Sequence, residues 1–187
     1  MSQPYEQYLQ ETLIDSDTLQ ARIRELAHEI NTDYASSQNV LLVCILKGGV
    51  MFLTDLMRHI TVPHGIDFMA ISSYGDGVRE SSGRVRIEMD LRQDIAGKHL
   101  LIVEDIIDSG HTMQYILSLL ETRQPDSIRI CTLLSKPSRR QIELDVDYVG
   151  FEIPDKFVFG YGLDLDEYFR NLPFIGVCKP DITVGEH

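Results

Sequence analysis

Several features that would identify a membrane protein or a metal-rich protein are missing from the sequence. No apolar run approaches the roughly 18 residues that a membrane-spanning helix needs, and the first residues have no basic and apolar leader regions. The three cysteines, Cys44, Cys131 and Cys178, lie far apart and lack the Cys-x-x-Cys or Cys/His spacing of a zinc site. We therefore expect reduced, buried thiols in a soluble, cytoplasmic protein with no membrane association.

Positive charge is scarce as well. The chain has 29 acidic residues against 17 Lys and Arg, so its formal net charge is -12 at pH 7. Such a field repels polyanions, which argues against a nucleic-acid partner but allows a small phosphorylated substrate. The only local clusters of basic residues are residues 79–92, which acids interrupt, and Arg139-Arg140.

Linkers, internal repeats and low-complexity tracts are absent too. The 187 residues correspond to one domain at roughly 150 residues per domain. A hydrophobic content of 43% is enough for a core without disulfides or a structural metal. We therefore expect a single domain over residues 1–187.

What the sequence does contain is an alternation of buried strands and amphipathic helices. Residues 40–46 form a continuous run of apolar side chains, typical of a strand buried on both faces of a parallel sheet, and residues 98–103 form a second run. Apolar stripes at helical spacing follow the two runs, in residues 50–60 and 113–120. This order predicts an α/β domain with a mostly parallel central sheet flanked by helices.

A polar loop and a strand-rich C-terminal part complete the pattern. Residues 72–83 are rich in Ser, Gly and charge and predict a mobile loop, while strict alternation in residues 84–90 predicts the return strand of a hairpin. After about residue 148 there are short strand patterns and no long helical stripe. We expect a core of about residues 36–150 and a small hood lobe built from about residues 1–15 and 151–187.

The segment LLIVEDIIDSGHT, residues 100–112, carries the clearest chemical signal. It places acids and then small and hydroxyl residues where an apolar strand ends and a helix begins, the usual ligand position of open α/β sheets. Backbone N–H groups at a helix N-terminus suit a phosphate monoester, and carboxylates suit sugar hydroxyls or a cation. One Asp would be enough to cap the helix, so three acids favour binding of a phosphorylated sugar. The residues are Glu104, Asp105, Asp108, Ser109, Gly110 and Thr112.

The stretch VEDIIDSGHT resembles the phosphoribosyl pyrophosphate signature of type I phosphoribosyltransferases. Further segments resemble the hypoxanthine-guanine branch of that family in order and spacing, over about residues 40–178. They are LKGG at residues 46–49, Ser73-Tyr74, Lys136, and PDKFVFGYGLDLDEYFR at residues 154–170. The resemblance implies the type I phosphoribosyltransferase fold.

The resemblance also implies roles for the signature residues. Glu104 and Asp105 would face the ribose hydroxyls, directly or through hydrated magnesium. Asp108 would lie near N7 of the purine as a general base or charge stabiliser. The 5-phosphate would be held, mostly through backbone N–H groups, by Ser109, Gly110, His111 and Thr112.

For the leaving group, the resemblance implies a pyrophosphate loop at Lys47 and Gly48, with a non-proline cis peptide between Leu46 and Lys47. Arg170 would contact pyrophosphate oxygens. Asp164 would help to coordinate a magnesium ion that bridges the pyrophosphate. The expected cofactor is therefore Mg²⁺, with Glu104, Asp105 and Asp164 as its candidate ligands.

For the base, the resemblance implies that Lys136 donates to O6 of a 6-oxopurine. Phe157 would stack on the ring, and Val158 would meet its edge through backbone groups, close to Asp164. The loop that begins at Ser73 and Tyr74 would close over the site and exclude water.

The implied activity is transfer of the 5-phosphoribosyl group to hypoxanthine and guanine, with IMP or GMP and pyrophosphate as products. One alternative keeps the chemistry and changes the preferred base to xanthine or another base such as uracil. Another is an RNA-binding regulator on the same fold, which the acidic net charge disfavours. The resemblance also implies a homodimer or homotetramer.

Overall fold

The computed structural model describes residues 5–73 and 85–180, and the helices and strands within these ranges alternate along the chain. The elements are β1 (Leu9–Ile14), α1 (Ser16–Asp33), β2 (Val40–Leu46), α2 (Val50–Met57), β3 (His64–Ser73), β4 (Val85–Met89), β5 (His99–Ile107), α3 (His111–Glu121), β6 (Ser127–Ser135), β7 (Tyr148–Glu152), β8 (Val158–Phe159) and β9 (Ile175–Cys178). A short 3-10 helix covers Pro137–Arg139. No helix in these ranges has the length and apolarity to cross a membrane.

The main sheet has six strands in the order β4-β3-β2-β5-β6-β7. Strands β3, β2, β5, β6 and β7 are parallel, and only the edge strand β4 is antiparallel. This confirms the predicted α/β fold with a mostly parallel sheet. Because β2, β5 and β6 are adjacent and parallel, their carboxyl ends meet at one edge, where Lys47, Asp108 and Lys136 follow them.

Helices cover both faces of this sheet, which explains why β2 has no polar position. Val40, Leu42 and Cys44 belong to the core that β2 shares with α1 and α2. The intervening residues Leu41, Val43 and Ile45 belong to the core shared with α3. A strand with helices on both sides buries all its side chains, so alternation disappears from its sequence.

The three cysteines are free and buried, as the sequence predicts. Burial, with a smaller contribution from the charges of Glu104 and Asp105, raises the pKa of the Cys44 thiol to about 12. Burial likewise raises the pKa of Cys131. These thiols are side chains of the core and are poor nucleophiles at neutral pH.

A second, antiparallel sheet of order β1-β9-β8 lies outside the main sheet. Aromatic side chains of Tyr5, Tyr8, Phe159, Phe169 and Phe174 form much of its own small core. Its strands come from the two chain segments assigned to the hood lobe, although the domain boundaries themselves stay a prediction. Strand β1 was not expected from the sequence, because its residues are mostly half-buried or exposed and show no clean alternation.

The antiparallel pair of β3 and β4 is present; β3 extends into the predicted loop as far as Ser73, and β4 (Val85–Met89) lies within the return strand predicted for residues 84–90. Ser72 pairs with Arg86 and Ser73 pairs with Val85, so both serines belong to β3 and the predicted loop boundary at residue 72 was wrong. The ladder with β4 continues because extended backbone can pair irrespective of the polar side chains it carries. Tyr74 and the rest of the predicted closing loop lie outside the described residues.

Candidate active site

The candidate site begins as a cavity of about 290 Å³ where β5 ends and α3 starts. Its lining contains most of the signature residues: Glu104, Asp105, Ile106, Ile107, Asp108, Ser109, Gly110, Thr112 and Met113. Gly110 adopts φ 91°, a left-handed conformation that turns the chain from strand into helix. In the described part of the chain no side chain caps α3, so its first-turn N–H groups remain available at the cavity.

Two adjacent acids, Glu104 and Asp105, form the strand side of this cavity. Burial and the charge of Asp105 raise the pKa of Glu104 well above its usual range. Burial also raises the pKa of Asp105, and Arg170 and the Ile106 N–H oppose that rise. Oε2 of Glu104 is buried and has no hydrogen-bond partner among the described residues. The pair is therefore short of positive charge and of donors, as expected of a site for a cation or for hydroxyl groups.

Asp108 lies at the cavity beside a buried lysine. Nζ of Lys136 is 3.7 Å from Oδ1 of Asp108 and 3.8 Å from Oδ1 of Asp155. The Lys136 side chain is only 8% exposed, so it is not a solvated surface lysine. Oδ1 of Asp108 is buried without a hydrogen bond from the described residues. The Lys136 ammonium group thus lies next to the carboxylate of Asp108, which lines the cavity.

The turn between β5 and α3 is braced from outside by residues that follow β6. Nε of Arg140 donates to the Asp108 carbonyl (3.2 Å) and Nη2 donates to Oγ of Ser135 (3.0 Å). The N–H groups of Gln141 and Ile142 both donate to the Ser109 carbonyl, at 3.0 and 3.3 Å. These bonds fix the backbone of the turn before any ligand arrives.

His111 takes part in the same bracing. Its Nε2 lies 3.0 Å from Oε1 of Gln141, and its own position is the first residue of α3. The contact orients the His111 side chain toward Gln141, and the role of its backbone N–H at the phosphate stays a prediction.

The loop after β2 approaches the acids closely because it is made of glycine. The Leu46–Lys47 peptide is cis, as the resemblance implied. A side chain at Gly48 would collide with the carboxylate of Asp105. A side chain at Gly162, whose φ is 97°, would collide with the Gly48 carbonyl. Gly48 therefore lies in close contact with two segments that are distant in sequence. One contact is with the carboxylate of Asp105 in β5, and the other is with the backbone of Gly162.

Next to this loop lies a cluster of exposed charges. Nζ of Lys47 is 2.8 Å from Oε2 of Glu167, and Nη2 of Arg170 is 3.3 Å from the same oxygen. Nη2 of Arg170 is also 2.9 Å from Oδ1 of Asp164, and Nη1 donates to the Gly162 carbonyl (2.8 Å). Neutralisation by Lys47 and Arg170 lowers the pKa of Glu167. The two cations predicted to hold pyrophosphate are thus brought together, with a carboxylate between them.

The segment that follows β7 carries an exposed aromatic side chain, Phe157, which offers a surface for stacking of a planar ring. Phe157 is 48% exposed, which is unusual for a large aromatic side chain, whereas Val158 in β8 is buried. Asp155 connects this segment to Lys136 through the 3.8 Å ion pair described above. The ion pair therefore links Lys136 to the segment that contains Phe157 and Val158, the other two residues predicted to contact the base.

The predicted metal ligands fall into two sets rather than one. Glu104 and Asp105 are together on β5, and Asp164 is paired with Arg170. Within residues 5–73 and 85–180 there is no group of three His, Cys, Asp or Glu side chains arranged to hold a metal ion. Magnesium commonly binds through one or two carboxylates and is completed by substrate and water, so the magnesium site stays a prediction.

Several residues of the site were missed by sequence reasoning. Asp155 and Glu167 look like ordinary surface acids in a charged stretch, and only their contacts distinguish them. Arg139 and Arg140 were noted as a basic cluster, but Arg139 pairs with Asp155 at 3.3 Å and Arg140 braces the turn. Gly162 lies within the segment of residues 154–170 that resembles the family, and its φ of 97° explains why a glycine occupies this position.

Comparison with known proteins gives consistent matches. A family model described as a phosphoribosyl transferase domain matches residues 10–167. The hypoxanthine-guanine phosphoribosyltransferase of Mycobacterium avium is 48% identical over 189 residues, covering 97% of this chain and 93% of that protein. A hypoxanthine phosphoribosyltransferase structure from Staphylococcus aureus has a TM-score of 0.91 at 43% identity, with 97% of each chain covered.

One further relative is much longer than this chain. The bifunctional protein TilS/HprT of Listeria monocytogenes is 47% identical over 174 residues, which are 93% of this chain but only 26% of that protein. The chain therefore spans about a quarter of that relative, and its similarity is confined to one part of it.

Proposed function

This chain belongs to the phosphoribosyltransferase family, and on that premise we propose that it transfers the 5-phosphoribosyl group of phosphoribosyl pyrophosphate to hypoxanthine and guanine. The products are IMP or GMP and pyrophosphate. The 6-oxopurine assignment is supported by the names of the Mycobacterium avium and Staphylococcus aureus proteins, which are similar to this chain over nearly its whole length.

A single observation carries the proposal, namely the composition of the 290 Å³ cavity. Its strand side presents the carboxylates of Glu104 and Asp105, and its helix side presents the N-terminus of α3 with Ser109 and Thr112. A sugar with a terminal phosphate matches that division, because hydroxyls donate to carboxylates and a phosphate accepts from backbone N–H groups.

The reaction requires charge to be stabilised at both ends of the bond that breaks. Cleavage of the bond from C1 to pyrophosphate leaves positive charge on the ribose and negative charge on the leaving group. Lys47 and Arg170 face the leaving group, and Glu104 and Asp105 lie on the sugar side. The base attacks C1 through N9 as the bond from C1 to pyrophosphate breaks, and Asp108 accepts the proton that N7 then releases, or stabilises the charge that develops there.

Magnesium fits the acids of this site. The buried Oε2 of Glu104 has no hydrogen-bond partner among the described residues, and burial raises the pKa values of both Glu104 and Asp105, with the charge of Asp105 adding to the rise at Glu104. Glu104 and Asp105 would hold one ion, and Asp164 would help to hold another once Arg170 turns to the substrate. When bound, magnesium neutralises pyrophosphate oxygens and so favours departure of the leaving group.

Base selection is assigned to Lys136. An ammonium group has only donors, so it favours the O6 acceptor of a 6-oxopurine over the amino group of adenine. The half-exposed ring of Phe157 offers a stacking surface, and the backbone of Val158 meets the edge of the base.

The test is a rate comparison with purified protein, phosphoribosyl pyrophosphate and magnesium. Initial rates are measured on hypoxanthine, guanine, xanthine, adenine and uracil, and we expect hypoxanthine and guanine to react fastest. Preference for xanthine or uracil would replace the base assignment and keep the chemistry. Absence of nucleotide product from every base would overturn the function. Omission of magnesium, with chelator present, is expected to abolish the rate.

The RNA-binding alternative has little support in the charge distribution. Arg139 and Arg140, which formed one of the two basic clusters, are engaged by Asp155, Ser135 and the Asp108 carbonyl. Homo-oligomer formation and a cytoplasmic location remain predictions.

A further inference from the structure

Lys136 is a buried cation whose counterions require explanation. Its ammonium group lies 3.7 Å from Asp108 and 3.8 Å from Asp155, in a side chain that is 8% exposed. A buried charge is costly unless other charges and hydrogen bonds compensate for it. Both separations exceed ordinary hydrogen-bond length, so neither carboxylate holds the ammonium group in a tight bond and it keeps donor capacity for a ligand.

The two counterions differ in what else they contact. Asp108 lines the cavity, and the proposed function gives it a task at the base. Asp155 is absent from the lining of that cavity, and Nη1 of Arg139 holds its two carboxylate oxygens at 3.3 and 3.5 Å. A ligand at the base position therefore competes for Asp108, whereas Asp155 keeps its contact with Arg139.

Asp155 also occupies a particular place in the chain. It lies between β7 and β8, two residues before Phe157, and the nearby Ile153 N–H donates to the Ser135 carbonyl (2.9 Å) at the end of β6. Lys136 is the next residue after Ser135. The Asp155 contact therefore ties the amine that reads O6 to the segment that carries the stacking ring.

We propose that Asp155 is a positioning and specificity-determining residue, which keeps the Lys136 ammonium group directed toward the 6-position of the base when Asp108 is engaged by the substrate. This role rests on the proposed function and deepens it, because it names the residue through which the site enforces a 6-oxo group. Asp155 itself need not touch the base.

The direct test is Asp155→Asn, a near-isosteric change that removes the charge. The carboxylate of Asp155 is half exposed, so solvent screens its effect, and we expect kcat/KM for hypoxanthine to fall by about tenfold. We expect KM for phosphoribosyl pyrophosphate to stay within about twofold, because the cavity for the sugar phosphate is built from other residues. The rate on adenine is expected to change little, so discrimination against adenine falls.

The split between the two substrates supplies a readout that a merely structural role would not move. The charged groups facing Lys136 are Asp108 from the β5–α3 turn and Asp155 from the β7–β8 loop; Arg139 pairs with Asp155, and Arg140 donates to the Asp108 carbonyl. A general loss of structure in Asp155→Asn would lower the rates on hypoxanthine and adenine together and would raise KM for phosphoribosyl pyrophosphate. Loss of the Asp155 contact alone is expected to lower only the hypoxanthine rate.

Two further variants complete the experiment. Asp155→Glu keeps the charge and is expected to recover most of the hypoxanthine rate, and Glu152→Gln removes a charge from exposed Glu152 nearby and is expected to leave both substrates unaffected. Equal losses for both substrates, no recovery in Asp155→Glu, or the same loss in Glu152→Gln would overturn the role of Asp155. A wild-type protein inactive on every base would instead overturn the proposed function, and a wild-type protein active on hypoxanthine separates the two failures.

Discussion

The two ends of the candidate site differ in what holds them: hydrogen bonds to the backbone at one end, and ion pairs between side chains at the other. The phosphate end, residues 108–112, is held by backbone hydrogen bonds from Gln141 and Ile142 and by Arg140. The pyrophosphate end consists of the side chains of Lys47 and Glu167, which are 67% and 64% exposed, together with Arg170. The phosphate end is organised before substrate binds. At the pyrophosphate end, Glu167 neutralises Lys47 and Arg170 until a bound anion takes its place.

This difference has an energetic reason. Fixed backbone donors need no rearrangement to accept a phosphate, so they can contribute their full electrostatic effect. Exposed ion pairs are worth little, typically up to about 1 kcal/mol, so they can be broken by a substrate at small cost. In the proposed function the site binds and then releases pyrophosphate, and loosely held cations suit that cycle.

The largest effect is expected where the pyrophosphate end depends on backbone packing. Gly162→Ala places a side chain against the Gly48 carbonyl at a φ of 97°. We expect kcat/KM to fall by at least about 100-fold, because a displacement of the Lys47–Gly49 loop misaligns the reacting groups. Steady-state kinetics and a thermal melt measure the effect.

Gly97→Ala is the matched control for that change. Gly97 also has a positive φ, 69°, but an added side chain there would meet nothing within 4 Å. The control therefore carries the backbone strain without the collision. If both variants lost activity equally, the contact between Gly162 and Gly48 would have no special role.

The second effect concerns the buried acids that join the two ends. Burial and Asp105 raise the pKa of Glu104 above its ordinary value of 4.5, so folding favours the protonated form. That contribution to stability is fully present below pH 4.5 and is lost as the pH rises through the folded-state pKa. Glu104→Gln cannot ionise and is expected to be more stable than the wild type at pH 8, by about 1 kcal/mol, in magnesium-free buffer.

Urea unfolding of both proteins at pH 4.5 and pH 8 tests the sign of this effect. The advantage of Glu104→Gln should shrink at the lower pH, and added magnesium should stabilise the wild type more than the variant. We expect activity to fall by about 10- to 100-fold, because a charge near the sugar is lost. A variant less stable than the wild type at pH 8 would contradict the assignment of unpaired charge to Glu104.

A smaller effect is expected from loosening the phosphate end. Arg140→Ala removes the donors to the Asp108 carbonyl and to Ser135 but leaves the cavity lining intact. We expect KM for phosphoribosyl pyrophosphate to rise by about tenfold, the cost of one or two hydrogen bonds from a charged group. Arg139→Ala, which removes the ion pair to Asp155, serves as the comparison, with its effect on the base rather than on the phosphate. An unchanged KM for phosphoribosyl pyrophosphate in Arg140→Ala would show that the turn is rigid without its brace.

The smallest effect is expected at the exposed charges. Glu167→Gln frees Lys47 and Arg170 of their internal anion, so pyrophosphate should bind about two- to fivefold more tightly as a product inhibitor. Product-inhibition kinetics measure this constant, and high salt should reduce the difference between the two proteins. Weaker inhibition in Glu167→Gln would mean that Glu167 organises the cations for pyrophosphate instead of competing with it.

Sequence reasoning succeeded where the signal is local. The β5–α3 turn is a run of consecutive residues, so acids, glycine and helix start could be read together from Glu104 to Thr112. The apolar run of β2 also predicted burial on both faces. Strand β1 was missed because an edge strand with exposed side chains has no hydrophobic period to detect.

Contacts between distant residues were beyond such reasoning. Nothing in the composition around Asp155 or Glu167 distinguishes them from solvated acids, and the burial of Lys136 depends on what packs around the end of β6. The resemblance to a known family assigned a role to Lys136, but it did not identify Asp155 as the second counterion of that lysine. The positive φ of Gly162 likewise has meaning only against the Gly48 carbonyl.

The sequence by itself therefore determined the α/β fold, the buried thiols, and the strand-to-helix turn with its three acids, because each of these depends on neighbouring residues or on overall composition. The tertiary structure decided which distant groups meet: the charges of Lys47 with Glu167 and of Lys136 with Asp155, and the backbone of Gly48 with Gly162. The physical reason is the parallel sheet, which gathers the carboxyl ends of β2, β5 and β6 at one edge, so residues that follow different strands come into contact there.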